Sequence, residues 1–273
     1  MIGVDVIRRF ESSGVRGLRR FAEVQRALYP GTFPAILDVG GGVALFAGIG
    51  SPLTFVGGLG LTAPVSDDDV AQIEAFYAAR GVPTRIDVTP LVDETFAERL
   101  TRSGYVLRER LSAWWRPLER ADDLTAKRSA ITVTEATRPE ERELWAMVIA
   151  AGFEGVESGT ETSGESVALG RIFASMGNVR CFLASIAGTP VGGSGLAVDG
   201  DLATLFGMST LPPWRGYGVH QALICARLIF AANAGCTTAR AEATIDSVSE
   251  RNITRAGFTR AYEKRSLSKP LVR

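Results

Sequence analysis

Two short segments of this 273-residue chain are near copies of each other. Leu100-Thr101-Arg102-Ser103-Gly104-Tyr105 and Ile253-Thr254-Arg255-Ala256-Gly257-Phe258 both close on a glycine followed by an aromatic residue. A glycine just past a helix takes the left-handed conformation that other side chains resist, so each segment predicts the end of a short helix and the start of a last strand. Upstream of each, the hydrophobic pattern runs in one order: strand, loop, long helix, glycine-ended turn, strand, short helix. This repetition constrains the chain to two copies of one mixed unit, and the length is enough for two cores.

In the first half the pattern predicts a helix over Val4 to Leu28 and strands at Ala35 to Val39, Val43 to Phe46 and Leu53 to Leu61. Gly40-Gly41-Gly42 reads as a hairpin turn, and Gly57-Gly58-Leu59-Gly60 as a strand with close backbone approach, since neither completes a dinucleotide-binding fingerprint. A helix follows from Ser66 to Arg80, then a strand (Thr84 to Thr89), a helix (Glu94 to Ser103) and a strand pair from Tyr105 to Trp115. The second half, after the polar stretch Glu119 to Ser129, begins with a strand (Ile131 to Glu135) and helices over Arg138 to Ala151 and Ser163 to Met176. Strands at Arg180 to Ala187, Val191 to Val198 and Leu202 to Leu211 are joined by turns at Gly188-Thr189-Pro190 and Asp199-Gly200. A helix over Gly218 to Ala234, a strand (Thr238 to Thr244), a helix (Ser247 to Ala256) and a strand (Thr259 to Ser266) complete the chain.

Lysine plus arginine equals aspartate plus glutamate at 30 each, so no global field draws the chain to nucleic acid or anionic lipid. The three cysteines, Cys181, Cys225 and Cys236, lack paired spacing, which argues against a disulfide framework or a zinc site and fits a reducing cytoplasm. No metal is expected. The N-terminal segment is amphipathic and arginine-rich rather than a secretory signal, and the most apolar helix is interrupted by His220, Gln221, Arg227 and Asn233, so no membrane span is expected. The one histidine, His220, lies inside a glycine loop, a poor place for the base of a nucleophilic triad.

The two copies differ at the start of their long helices. In the second copy the strand ending Met208-Ser209-Thr210-Leu211 meets Pro212-Pro213-Trp214-Arg215-Gly216-Tyr217-Gly218-Val219-His220-Gln221, with no acidic residue until after Ala234. First-turn N–H groups have no intrahelical partner and sit at the positive end of the helix dipole, so this start can receive an anion. In the first copy Asp67, Asp68 and Asp69 occupy that turn and would repel one.

With these residues, the second half resembles the GNAT superfamily of acyl-CoA-dependent N-acyltransferases, whose motif is Arg or Gln, two residues, Gly, one residue, then Gly or Ala. Arg215 and Gly218 match, His220 stands at the last position, and the resemblance extends over Ile131 to Pro270. It implies an α+β architecture of two tandem GNAT-like folds, each a mixed, mostly antiparallel sheet flanked by helices. Residues 1–120 would be a degenerate copy and 131–273 the acyl-CoA-binding N-acetyltransferase domain.

The resemblance further implies acetyl-CoA as co-substrate. Backbone groups of Met208, Ser209 and Thr210 would meet the pantetheine arm, and main-chain amides of Arg215, Gly216, Tyr217, Gly218, Val219, His220 and Gln221 the pyrophosphate. Ile253 stands where the family has a proton-donating Tyr, so either another group such as Ser249 or a water serves as the acid, or Ser247, Ser249 and Asn252, the last a candidate cofactor contact, mark a subgroup that handles the leaving thiol differently; Ser247 and Ser249 also read simply as N-cap and first-turn residues. Glu242 is the leading base candidate, one residue out of register with the family's usual glutamate, and Glu154 and Glu157 in the loop Gly152 to Gly159 are alternatives. Trp145, Phe153 and Trp214 are candidates for an apolar cleft wall. The acceptor would be a small-molecule or peptide amine, with the chain a monomer or homodimer; the competing reading is a non-catalytic acyl-CoA sensor or interaction protein on the same fold.

Overall fold

A computed structural model describes residues 3–118, 130–157 and 162–271. The polar stretch Glu119 to Ser129 and residues Ser158 and Gly159 of the expected acceptor loop lie outside them. The chain forms two compact units: Met1–Ala113 with Ala243–Ile245 and Arg260–Arg273, and Trp114–Glu242 with Asp246–Thr259. The final strand, read from sequence with the second half, is thus counted mainly with the first unit.

In the first unit α1 (Val4–Leu28), β1 (Ala35–Val39) and β2 (Gly42–Phe46) precede the short β3 (Phe55–Gly57). The strand expected to run on to Leu61 stops at Gly57 because Gly58 and Gly60 have φ of 73° and 81°, outside strand geometry. Gly40 and Gly41, both at positive φ, close the hairpin between Val39 and Gly42. A side chain at Gly42 would stand 2.4 Å from Gly57 O, which is the close approach the glycine run predicts. Next come α2 (Asp67–Ala78), β4 (Thr84–Val88), α3 (Phe96–Arg102) and β5 (Val106–Pro117). The strand pair expected over Tyr105 to Trp115 is a single strand, since Arg108-Glu109-Arg110 supplies no turn residue. β11 (Thr259–Lys269) pairs antiparallel with β4, and its Leu267 joins Ile73, Tyr77, Ile86 and Leu100 in this unit's core.

The second unit runs β6 (Ile131–Glu135), α4 (Pro139–Glu154), α5 (Gly164–Ser175), β7 (Val179–Ile186), β8 (Thr189–Asp199), β9 (Leu202–Thr210), α6 (Val219–Asn233), β10 (Thr238–Thr244) and α7 (Val248–Arg255). Its sheet is ordered β10-β9-β8-β7-β6, antiparallel except for the parallel β9–β10 pair. The β7–β8 turn is Ala187-Gly188, one residue earlier than expected: both have positive φ, as a two-residue hairpin demands, and Thr189 already pairs with Ile186. One sheet face carries α4 and α5, where Gly193 closely faces Trp145 and Ile149. The other carries α6, with Phe182 against Phe230 at 5.5 Å. Buried Leu223, Ile224, Leu228 and Ala231 form the inner stripe of α6.

The two matching segments also match in geometry. Tyr105 N–H bonds to Leu100 O and Phe258 N–H to Ile253 O, each across a glycine at positive φ (Gly104, Gly257), the hydrogen-bond pattern of a Schellman helix stop.

Candidate functional site

The site is built where β9 leaves its parallel neighbour. The β9–β10 register runs from Leu202–Thr238 to Leu205–Ala241, yet β9 continues to Thr210 and β10 to Thr244. Between the pairs Gly195–Phe206 and Gly193–Ser209, β8 advances two residues and β9 three. The extra residue is a bulge at Gly207, whose φ of 53° suits glycine, and it bends the strand as bulges do. It also resets which residues face which side. Phe206 meets the α5 ring of Phe173 at 5.0 Å, Met208 turns its Sδ to Arg227 of α6, and the Ser209 hydroxyl donates to Ile149 O of α4 at 3.3 Å. Met208, Ser209 and Thr210 therefore lie together on the segment past the bulge, with the side chains of Met208 and Ser209 already engaged.

After β9 the chain makes one 3-10 turn at Pro212–Trp214. Arg215 then donates from Nε to Thr210 O and from Nη2 to Gly152 O, both at 3.2 Å. Its cation thus also ties the loop to the end of β9 and to α4, a duty the sequence reading did not assign. Gly216 and Gly218 have φ of 85° and 87°, and Tyr217 between them is exposed, edge-on to Trp214 at 6.0 Å. Gly218 is the N-cap of α6, with no side-chain cap and no acidic residue in the first turn. Val219 is buried, Gln221 exposed and His220 half-buried. Burial, then the nearby charge of Arg227, pulls the His220 pKa down to about 4, so its imidazole is neutral at neutral pH. His220 Nδ1 and Thr210 Oγ1 are buried and have no hydrogen-bond partner among the described residues.

The proposed acid and base candidates are held in their own contacts. Glu242 stands one residue past the last β9–β10 pair, and its carboxylate is hydrogen-bonded to Arg240. Ile253, at the position of the family's Tyr, is a core residue. Ser247 is the N-cap of α7, accepting from Glu250 N–H at 3.1 Å, which is the simpler of its two readings. Ser249 and Asn252 are half-buried on α7, and Asn252 accepts from Arg255 at 3.3 Å. Glu154 is the last residue of α4 rather than part of a loop, and it accepts from the Ser163 N–H and hydroxyl at the α5 N-cap. Those bonds hold its carboxyl below the usual range, and they explain the residue without catalysis. Glu157 is exposed. Trp145 is a core residue, donating to Ser194 O at 2.9 Å, whereas Phe153 is exposed and Trp214 half-buried. The sequence reading missed Arg227, whose signal was a lone charge on the apolar face of α6, two turns from His220.

An acyl-CoA fits what is present. A helix start without a side-chain cap, preceded by Gly216 and Gly218, offers N–H groups to a pyrophosphate, and a strand edge released from its neighbour offers peptide groups to a pantetheine amide. Thr210, the last residue of β9, and His220, in the first turn of α6, each carry a buried polar atom without a hydrogen-bond partner among the described residues. Among the described residues no cluster could hold a metal ion, and no helix is long and apolar enough to cross a membrane.

No family model and no curated protein matches the chain. Solved structures do. A GCN5-related N-acetyltransferase from Kribbella flavida is 16% identical, aligning over 96% of this chain and 95% of its own with a TM-score of 0.66. A tandem GNAT protein from the clavulanic acid biosynthesis pathway aligns over 94% and 95%, at 12% identity and a TM-score of 0.61. A functionally unknown conserved protein from Staphylococcus epidermidis aligns over 91% and 98%, at 12% identity and a TM-score of 0.61. The chain has the tandem GNAT fold along nearly its whole length.

Proposed function

We propose that this protein is an acyl-CoA-dependent N-acyltransferase that moves an acetyl group from acetyl-CoA to an amine. The observation that carries the reading is the join of the β9 bulge to the uncapped, acid-free start of α6 through the Arg215-x-x-Gly218 loop. Amides of Arg215 to Gln221 hold the pyrophosphate, and backbone groups of Met208, Ser209 and Thr210 take the pantetheine arm and polarise the thioester carbonyl. Acetyl-CoA supplies an activated acyl carbon; a neutral amine attacks it directly, the C–N bond forms as C–S breaks, and the departing thiolate takes a proton. Glu242 is the leading candidate to accept the ammonium proton through water, while Ser249 or a water protonates the thiolate, with Asn252 beside the cofactor.

Two observations favour the alternative of a non-catalytic acyl-CoA-binding protein: Ile253 cannot donate a proton, and Arg240 engages the Glu242 carboxylate. Turnover separates the two. Free thiol release from acetyl-CoA is measured against a panel of small amines, antibiotics and peptide N-termini. Amine-dependent release that disappears in Gly218→Glu is the expected result. Acetyl-CoA binding without release for any amine supports the sensor instead.

A further inference from the structure

Arg227 is wholly buried on the inner face of α6 and has no carboxylate partner among the described residues. Desolvation lowers its pKa to about 9, so it remains a cation at neutral pH. Burying an uncompensated charge is costly, and an apolar side chain would fill the same space without that cost. What the guanidinium does with its donors accounts for its presence. Nε donates to Leu223 O of its own helix at 3.0 Å, Nη1 to Gly195 O at 2.9 Å and to Phe206 O at 3.3 Å, and Nη2 to Met208 Sδ at 2.9 Å.

Those contacts bracket the bulge. Gly195 and Phe206 form the last regular β8–β9 pair before it, and Met208 lies within it. A bulge interrupts the ladder and leaves carbonyls short of donors, and buried carbonyls need them. One planar, multi-donor side chain meets two such carbonyls from the helix above. The same helix begins at the anion-binding loop, so Arg227 joins the two halves of the site.

We infer that Arg227 is a positioning residue for the acyl-CoA cleft: it braces the β9 bulge against α6 and sets where Met208 to Thr210 present their backbone to the ligand. The inference rests on the acyl-CoA reading for its functional consequence, but the brace itself is testable without ligand. Methionine is scarce, at four residues, so methyl-labelled methionine gives few NMR signals, and Met208→Leu identifies the one from Met208.

The variants are Arg227→Leu, neutral and adding no methyl-labelled methionine, and Arg227→Lys, which keeps the charge but not the fork. Leu228→Ala, a buried neighbour that touches no bulge atom by a polar contact, controls for general loss of stability. Full-length proteins are compared below their melting temperatures. Arg227→Leu is expected to move the Met208 methyl signal while those of Met147 and Met176 hold. It should weaken acetyl-CoA binding by about tenfold or more, the scale of one lost charged hydrogen bond. Arg227→Lys should recover part of both, and Leu228→Ala should change neither beyond twofold. If Arg227→Leu unfolds, Arg227→Lys carries the comparison alone. An unmoved Met208 signal overturns the brace, and a moved signal with unchanged affinity overturns its role in the cleft. A wild type that binds no acetyl-CoA overturns the functional reading, and the Met208 signal still decides the brace.

Discussion

At the residue scale, His220 shows how far one letter of a motif can be read. The sequence places it in the glycine loop before α6, at the motif position where a small residue is usual. Burial, and then the charge of Arg227, keep the imidazole neutral. The linkage follows in sign. With the folded pKa depressed from 6.5 to about 4, His220 contributes stability that is present above pH 6.5 and is lost as pH falls toward 4, where the unfolded chain takes up a proton first. The full shift would be worth up to ~3 kcal/mol, and the half-buried position reduces this to about 1–2 kcal/mol. Denaturant unfolding at pH 7 and pH 4.5 should therefore show a smaller acid loss in His220→Asn than in wild type. Equal losses would contradict the assignment. Glu242 marks the other limit: the sequence offers it as a candidate base, but does not show that Arg240 engages its carboxylate, because that contact depends on the side-chain conformations along the strand face.

At the element scale, most helices and strands were legible because amphipathic period and helix caps are local. Ser66 and Asp69 form the reciprocal capping box at the start of α2, and Gly104 and Gly257 stop α3 and α7. The β9 bulge was not legible. Leu202 to Leu211 alternates well enough to pass for a regular strand, and the extra residue shows only against the register of β8. Close helix packing was equally hidden: a side chain at Gly170 of α5 would stand 2.9 Å from Ala146 Cα and Cβ of α4. Gly170→Ala should force the two helices apart and cost about 1–3 kcal/mol despite the better helix propensity of alanine. Chemical denaturation measures it, and a stabilised variant would show that the crossing is looser than described.

At the scale of the whole molecule, the repeat predicted two units of one fold, and the fold comparison covers nearly the entire chain. The final strand was harder to place, since Thr259 to Ser266 follows the second unit in sequence but pairs with β4 of the first. Nothing local encodes that choice, because partner selection between distant strands is a property of the assembled sheet. The copies have diverged at the decisive spot. In the first unit Ser66 and Asp69 satisfy the α2 start themselves, and Leu59, just past β3, is buried in that unit's own core. In the second, the corresponding helix begins uncapped at Gly218. On the proposed function, each chain would have a single acyl-CoA site, at the Arg215–Gln221 loop. Isothermal titration of acetyl-CoA into the full-length protein tests this most directly. One equivalent bound per chain, abolished by Gly218→Glu, is the predicted result; no binding, or a second equivalent, would contradict it.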